Sequence, residues 1–266
     1  MITIKQNLPS GAPITLAEDE RLDEVNESIR LIQKKHGLTF GTDAYLLAAY
    51  VRKMPRADAV DLGSGTGIIP LLLLAKEKVR TVHAVEIQPQ FAELIAKNAS
   101  LNGVSDRLHP LCADVRTLRP ADFGHEVALV VSNPPYMKTA SGKRNEHDEK
   151  FIARHEVCGN ISDFCACAGR ILKHGGRFVC VWRPDRLTEL LNAMHSSHLE
   201  PKRMTFVHAD GSAPPSSVLI EAVKGAAPSL QVTPPLFLYL PQTDSAATRE
   251  LTPEAKKIYG TCSFFD

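Results

Sequence analysis

Short apolar stretches alternate with longer, helix-prone ones through the middle of the chain. Strand candidates fall at residues 57–61, 81–86, 107–112, 126–132, 176–182, 202–208 and 216–223, and helix candidates at 67–78, 89–101, 161–173 and 185–198. Short apolar runs bounded by turn residues read as buried strands, and their alternation with helices predicts an α/β doubly wound, mostly parallel sheet. The last two strands are joined by Ala209-Asp210-Gly211-Ser212-Ala213-Pro214-Pro215, a turn-rich link with no helix. Such a link suits antiparallel neighbours, so seven strands with the final one antiparallel are expected. Gly175-Gly176 is expected to end a helix and turn into the next strand.

Outside this core the pattern is weaker. Residues 1–17 read as a loose or weakly stranded arm. Glu18-Asp19-Glu20-Arg21-Leu22-Asp23-Glu24 reads as a solvated acidic face, and Ser28-Ile29-Arg30-Leu31-Ile32-Gln33 as a short alternating strand. Thr42 or Asp43 is expected to cap a helix beginning near Ala44. Residues 225–266 hold five prolines, Pro228, Pro234, Pro235, Pro241 and Pro253, and read as an extended tail packed on the body. The expected organisation is an N-terminal extension over 1–40, a catalytic-type domain over 41–224 and the tail over 225–266.

Composition narrows the classes. The chain has 266 residues, 44% apolar and 23% charged, with a net charge of +1, so any nucleic-acid contact must use a local patch. The apolar run from Ile68 to Ala75 is far short of the ~20 residues of a membrane span, and Met1-Ile2-Thr3-Ile4-Lys5-Gln6 has no signal-peptide pattern. A cytoplasmic location with no membrane partner is the expectation. None of the six cysteines forms a Cys-x-x-Cys pair, so reduced thiols and no metal site are expected.

The candidate chemistry begins at Asp61-Leu62-Gly63-Ser64-Gly65-Thr66-Gly67, between a strand and a helix. Glycines here permit left-handed backbone and close approach of a ligand, and the helix start offers unpaired N–H groups. The next strand ends in Glu86, where a carboxylate can accept both hydroxyls of a ribose. The spacing departs from the Gly-x-Gly-x-x-Gly of dinucleotide sites. It resembles instead the first motif of the Rossmann-like, S-adenosylmethionine-dependent methyltransferases. That resemblance implies S-adenosyl-L-methionine as cofactor, held by Asp61, Gly63, Ser64, Gly65, Gly67, Glu86 and Ile87. Asp114 and Val115, at the end of the third core strand, join that set, with Asp114 either bonding the adenine amino group or capping a helix.

The fourth core strand runs into Asn133-Pro134-Pro135-Tyr136. Ligands of open α/β sheets bind beyond the carboxyl ends of the strands, so this tetrapeptide should lie beside the glycine turn. Two prolines stiffen the backbone and remove N–H donors, leaving the Asn133 amide oxygen and the Pro134 carbonyl as acceptors. That set complements a planar NH₂ group, whose two hydrogens they would hold while its lone pair is turned outward. Tyr136 offers a face for a base, a stack worth ~1–3 kcal/mol.

Taken together, these motifs resemble the tRNA1(Val) (adenine-N6)-methyltransferase family. Further likenesses are Glu18–Glu24 with Leu31-Ile32-Gln33, Phe40-Gly41-Thr42-Asp43-Ala44-x-Leu46-Leu47, Asn133 through Lys138, Ala153-Arg154-His155-Glu156, and Trp182-Arg183-Pro184-Asp185-Arg186-Leu187. Residues 17–223 carry the likeness. It implies a Rossmann-like class I methyltransferase acting on the N6 amine of a tRNA adenine, with Asn133, Pro134, Pro135 and Tyr136 catalytic. Thr42 and Asp43 would close over the cofactor, and Asn133 would also touch it. The acidic run would pack near the active face. Lys138, Lys143, Arg144, Arg154, Arg183 and Arg186 are the candidate tRNA contacts, with His155 and Glu156 structural or at the RNA. The alternatives are methylation of protein glutamine N5, whose enzymes carry a separate helical N-terminal domain, methylation of rRNA guanine N2, and a non-catalytic binding module.

Overall fold

The computed structural model describes residues 2–4, 14–35, 41–135, 159–241 and 249–265. Tyr136, Lys138, Lys143, Arg144, Arg154, His155 and Glu156 lie outside the described residues, as does Phe40.

Five parallel strands form the heart of the sheet: β5 (Asp58–Leu62), β6 (Thr81–Glu86), β7 (Leu108–Cys112), β8 (Val127–Ser132) and β9 (Leu172–Trp182). β10 (Leu199–His208) and β11 (Pro215–Lys224) complete the order β7-β6-β5-β8-β9-β11-β10, with β11 antiparallel to both neighbours. The reversal of order around β5 makes the rim beside β5 and β8 the topological switch point, where such sheets bind ligands. Helices α1 (Thr42–Tyr50), α2 (Ile68–Ala75), α3 (Pro89–Leu101), α4 (Ile161–Ile171) and α5 (Leu187–Ser196) cover the faces. β5 is buried along its whole length, as a strand covered on both faces must be.

Two strand pairs precede the sheet: β1 (Ile2–Ile4) with β2 (Ile14–Leu16), and β3 (Glu20–Asn26) with β4 (Ile29–Lys34), both antiparallel. The acidic run is therefore not simply a solvated face. Glu20 is buried, accepts from Lys97 Nζ at 2.8 and 3.0 Å and lies 3.6 Å from Lys34 Nζ. These contacts hold its carboxyl below the usual range against the opposing pull of burial. The α3 residues Asn98 and Asn102, one turn apart, satisfy the open edge of β4. Asn98 accepts from the Ile32 N–H at 2.7 Å and donates to the Ile32 carbonyl at 3.0 Å; Asn102 does the same for Arg30 at 3.0 and 2.7 Å. Buried strand-edge groups need such partners.

Three other expectations change. Helix α1 begins at Thr42, with Gly41 as N-cap and no side-chain cap bond, so neither Thr42 nor Asp43 caps it. Gly175 and Gly176 do not end a helix. α4 stops at Ile171, the chain is extended from Leu172, and both glycines sit inside β9, where a Cβ on Gly176 would meet the Lys173 carbonyl at 2.8 Å. The tail is only partly extended. β12 (Gln231–Val232) and β13 (Leu236–Phe237) each lie parallel to β10, and α6 (Pro253–Thr261) packs on α1.

Lys78 is fully buried. Its ammonium donates to the carbonyls of Ala48, Ala49 and Val51 at 2.8, 3.0 and 2.7 Å. It closes the C-terminus of α1, which has no basic residue of its own in its last turn.

Candidate functional site

The glycine turn leaves β5 with Gly63, Gly65 and Gly67 all left-handed, at φ 74°, 55° and 81°. At two of them a side chain would also crowd a neighbour. A Cβ on Gly63 would lie 3.3 Å from Phe164, and one on Gly67 3.3 Å from Ile95. Among the described residues, nothing lies within 4 Å of that position over Gly65. The turn is pinned below and open above, the shape a ligand pressed onto the backbone requires.

Glu86 belongs to the same cradle. Its Oε2 accepts the Gly65 N–H at 2.9 Å and its Oε1 the Gln88 N–H at 3.0 Å, while the Gly63 and Ser64 N–H groups donate to the Val85 carbonyl at 2.9 Å. Each Glu86 oxygen keeps a further lone pair, enough for a pair of ribose hydroxyls. Ile87 follows, half-buried, and its carbonyl faces Cys112 Sγ at 3.8 Å.

Asp61 is fully buried at the foot of the turn. The Ser64 hydroxyl donates to its Oδ2, and its Oδ1 has no partner among the described residues. Burial, with the Glu86 charge adding to it, pushes this carboxyl up to about 7 against the Ser64 hydrogen bond. A buried acceptor without a donor is costly, so this oxygen waits for one. The ammonium and hydroxyl donors of S-adenosylmethionine match what the orphan Asp61 oxygen, the open face of Gly65 and the Glu86 carboxylate offer.

Asn133 follows β8 directly. Ser132 pairs with Leu62 on one side and Cys180 on the other, and its hydroxyl donates to the Leu62 carbonyl at 2.7 Å. Asn133 and Gly63 are thus the residues that follow the last paired positions of the adjacent strands β8 and β5, Ser132 and Leu62. It is half-buried, Pro134 is buried and Pro135 is half-buried. Gly63–Gly67, Glu86 and Asn133–Pro135 thus share one rim of the sheet.

The remaining candidates divide. Asp114 lies at the end of β7, but its carboxylate is engaged by Arg116, from Nε at 2.9 Å and Nη2 at 2.5 Å, which lowers its pKa. Val115 is buried in the cluster around Phe123. Asp43, in the first turn of α1, lines a cavity of about 590 Å³ with Arg183, Pro184, Pro214 and Pro215. Thr42 is exposed at the start of the same helix. Arg183 pairs with Asp185 at 2.9 and 2.6 Å. Arg186 pairs with Glu189 at 2.8 and 2.7 Å and lies over the Trp182 ring at 5.4 Å.

A second cleft, of about 510 Å³, lies at the opposite rim among Arg56, Asp58, Arg80 and His125. Asp58 is tied there to Arg80, Thr81 and His125, which holds it at about 2. That is the wrong end of a parallel sheet for the chemistry. Among the described residues no group of His, Cys, Asp and Glu is placed to hold a metal ion, and no helix is long and apolar enough to cross a membrane.

Sequence reasoning missed Phe164 beneath Gly63, and also Asn98, whose amide donates to the Thr66 carbonyl at 2.9 Å. Both act from far along the chain, where local spacing gives no signal.

Comparisons with known proteins agree with this geometry. The model of the TRM5/TYW2 methyltransferase domain matches residues 49–161. A tRNA1(Val) (adenine(37)-N6)-methyltransferase of Porphyromonas gingivalis is 29% identical over 187 residues, 68% of this chain and 72% of that protein. The crystal structure of Atu636 from Agrobacterium tumefaciens, titled a predicted O-methyltransferase, has 25% identity and a TM-score of 0.66, covering 84% of this chain and 97% of that one. TYW2 of P. horikoshii, solved with MeSAdo, shares the fold at a TM-score of 0.55 and 16% identity, covering 81% and 75% of the two chains. The chain is a Rossmann-like, S-adenosylmethionine-dependent methyltransferase, and its curated relatives include the tRNA1(Val) enzymes that its motifs resemble.

Proposed function

We propose that this enzyme methylates tRNA, at the exocyclic N6 of an adenine, with position 37 of a valine tRNA as the first substrate to try. Relatives of that name, which specifies both the base and the tRNA, match about two thirds of the chain. The observation that supports the amine reading is the pairing of β8 with β5 as far as Ser132 and Leu62, so that Asn133 and Pro134 leave the sheet at the same end as the glycine turn and the orphan Asp61 oxygen.

S-adenosylmethionine supplies a methyl group on a positively charged sulfur. Asp61, Gly63, Ser64, Gly65, Gly67, Glu86 and Ile87 would hold it, with Thr42 and Asp43 closing from α1 and Val115 from the β7 end. Asp114 joins them by exchanging Arg116 for the cofactor's adenine. The Asn133 amide oxygen and the Pro134 carbonyl accept the two amine hydrogens, which turns the nitrogen lone pair away from the ring and toward the cofactor side. Pro135 keeps that turn rigid, and Tyr136 stacks the base. The methylated nitrogen is acidic and sheds its proton to solvent without a dedicated base. Rate then comes from positioning and fixed dipoles. Arg183 and Arg186, with Lys138, Lys143, Arg144 and Arg154, are the proposed phosphate contacts.

The test is Asn133→Ala assayed on tRNA with cofactor affinity measured in parallel. Turnover should fall by on the order of 10², the usual effect of removing one transition-state hydrogen bond, with the cofactor Kd nearly unchanged. Equal loss of both refutes the assigned role. Side-by-side assays with rRNA and with a glutamine-containing protein substrate separate the alternatives.

A further inference from the structure

In a parallel sheet the turns that feed the strands gather at the end opposite the chemistry. Here that end collects cations. Arg56 lies just ahead of β5, Arg80 directly ahead of β6, His125 just ahead of β8, and Lys173 in the first residues of β9. All four line the cleft of about 510 Å³. At a rise of about 3.3 Å per residue, the run from Asp58 to Gly63 puts this cleft about 17 Å from the glycine turn.

The cleft is braced from within. Asp58 is buried, and its carboxylate accepts from Arg80 Nε at 2.9 Å, from Arg80 Nη2 and from Thr81 Oγ1 at 2.5 Å, and faces His125 Nε2 at 3.2 Å. Its lone pairs are thus spent on its own neighbours. The Arg80 and His125 side chains that it steadies remain 61% and 55% exposed. Arg107 fixes the turn ahead of β6 by donating to the Arg80 and Val79 carbonyls at 2.9 and 3.1 Å. Glu126, the other carboxylate of the lining, faces Lys224 at 3.9 Å. Arg56 and Lys173 are exposed, and their side chains have no partner among the described residues. On the opposite rim Arg116, Arg183 and Arg186 are each engaged by a carboxylate two or three residues away.

We infer that this cleft is an anion site that takes a backbone phosphate of the RNA substrate, a second grip away from the methylated base. This rests on the reading of tRNA as the substrate. With a net charge of +1 the chain has no general attraction for RNA, so affinity has to come from local clusters of this kind. Phosphate contacts position a nucleic acid without reading its sequence. Arg56 and Lys173 therefore add affinity and take no part in methyl transfer. A folded tRNA is several times longer than the gap between the two rims, so one molecule can reach both.

The experiment uses the full chain and a valine tRNA transcript, with Kd read by fluorescence anisotropy across a salt series and methyl transfer measured alongside. The test variant carries Arg56→Glu with Lys173→Glu. A control carries Lys256→Glu with Lys257→Glu, the same change of charge on two exposed residues of α6. Circular dichroism checks that each is folded, and Arg56→Gln with Lys173→Gln replaces the test variant if it is not. The test variant should raise the tRNA Kd by about tenfold at low salt. It should also flatten the slope of log Kd against log salt by about two, one for each cation lost. Turnover at saturating tRNA should stay within about twofold, because only uniform binding is removed. An unchanged Kd and slope, or an equal loss in the control, overturns the inference while tRNA methylation by the parent stands. Calorimetric titration with inorganic phosphate distinguishes the other source of this anion. Phosphate binding that the test variant loses, with tRNA affinity unmoved, makes the cleft a free-anion pocket and also overturns the inference. If the parent neither binds nor methylates tRNA, the functional reading itself fails, and this inference with it.

Discussion

Replacing Asp61 by asparagine should change how stability depends on pH. The Asp61 carboxyl has its pKa pushed from 3.8 to about 7, chiefly by complete burial and secondarily by the Glu86 charge. Between those two values the folded protein keeps a proton that the unfolded chain has released. Stability therefore falls as pH rises through this window, and the loss levels off about one unit above the folded value. A shift of about three units is worth on the order of 4 kcal/mol, and roughly 3 kcal/mol of it accrues between pH 5 and pH 8. Asp61→Asn keeps the side chain's size and an oxygen for the Ser64 hydroxyl, but cannot ionise. Urea unfolding of the cofactor-free parent and variant at unit pH steps measures the difference directly, with constant m-values as the check on two-state behaviour. Other groups titrate in the same range. His83, lowered by burial and by His109, adds stability as pH rises, and it cancels because both proteins contain it. The variant's advantage should grow by about 3 kcal/mol from pH 5 to pH 8. A constant difference would show that Asp61 is not a buried, unpartnered carboxyl, and the main mark of the cofactor site would be lost.

Two further changes probe the frame around the site. Gly67→Ala forces a left-handed alanine at φ 81° with its Cβ 3.3 Å from Ile95, and should cost about 1–2 kcal/mol in chemical denaturation along with weaker cofactor binding. Lys78→Met leaves the three carbonyls that end α1 without their donor. It should cost about 3 kcal/mol, or a fall of roughly 6–12 °C in the calorimetric melting temperature.

How much of this was legible in the sequence depended on how local the signal was. The seven main strands and the helices between them are legible as alternating apolar runs, to within a few residues at each end. The glycine turn, Glu86 and Asn133 are local motifs whose meeting follows from strand order alone. What local pattern could not supply is contact over long separations. Lys78 looks like a surface lysine until α1 is packed over it. Glu20 looks solvated until Lys97 is beside it. β12 and β13 are only two residues each, and exist because β10 offers an open edge. α6 hides among prolines, one of which starts it. Gly175-Gly176 misled because glycine pairs mark both helix ends and strands that pass close to a neighbouring backbone.

The Asn98 side chain ties together pieces that are far apart in the chain: its oxygen and nitrogen grip β4, while the same nitrogen also reaches the Thr66 carbonyl within the glycine loop. Trimming the protein from its front would therefore be felt at the centre. Removing the β3–β4 hairpin would strip one amide of two of its three bonds and loosen the loop it steadies, so the leading segment behaves as part of the scaffold and not as a detachable appendage.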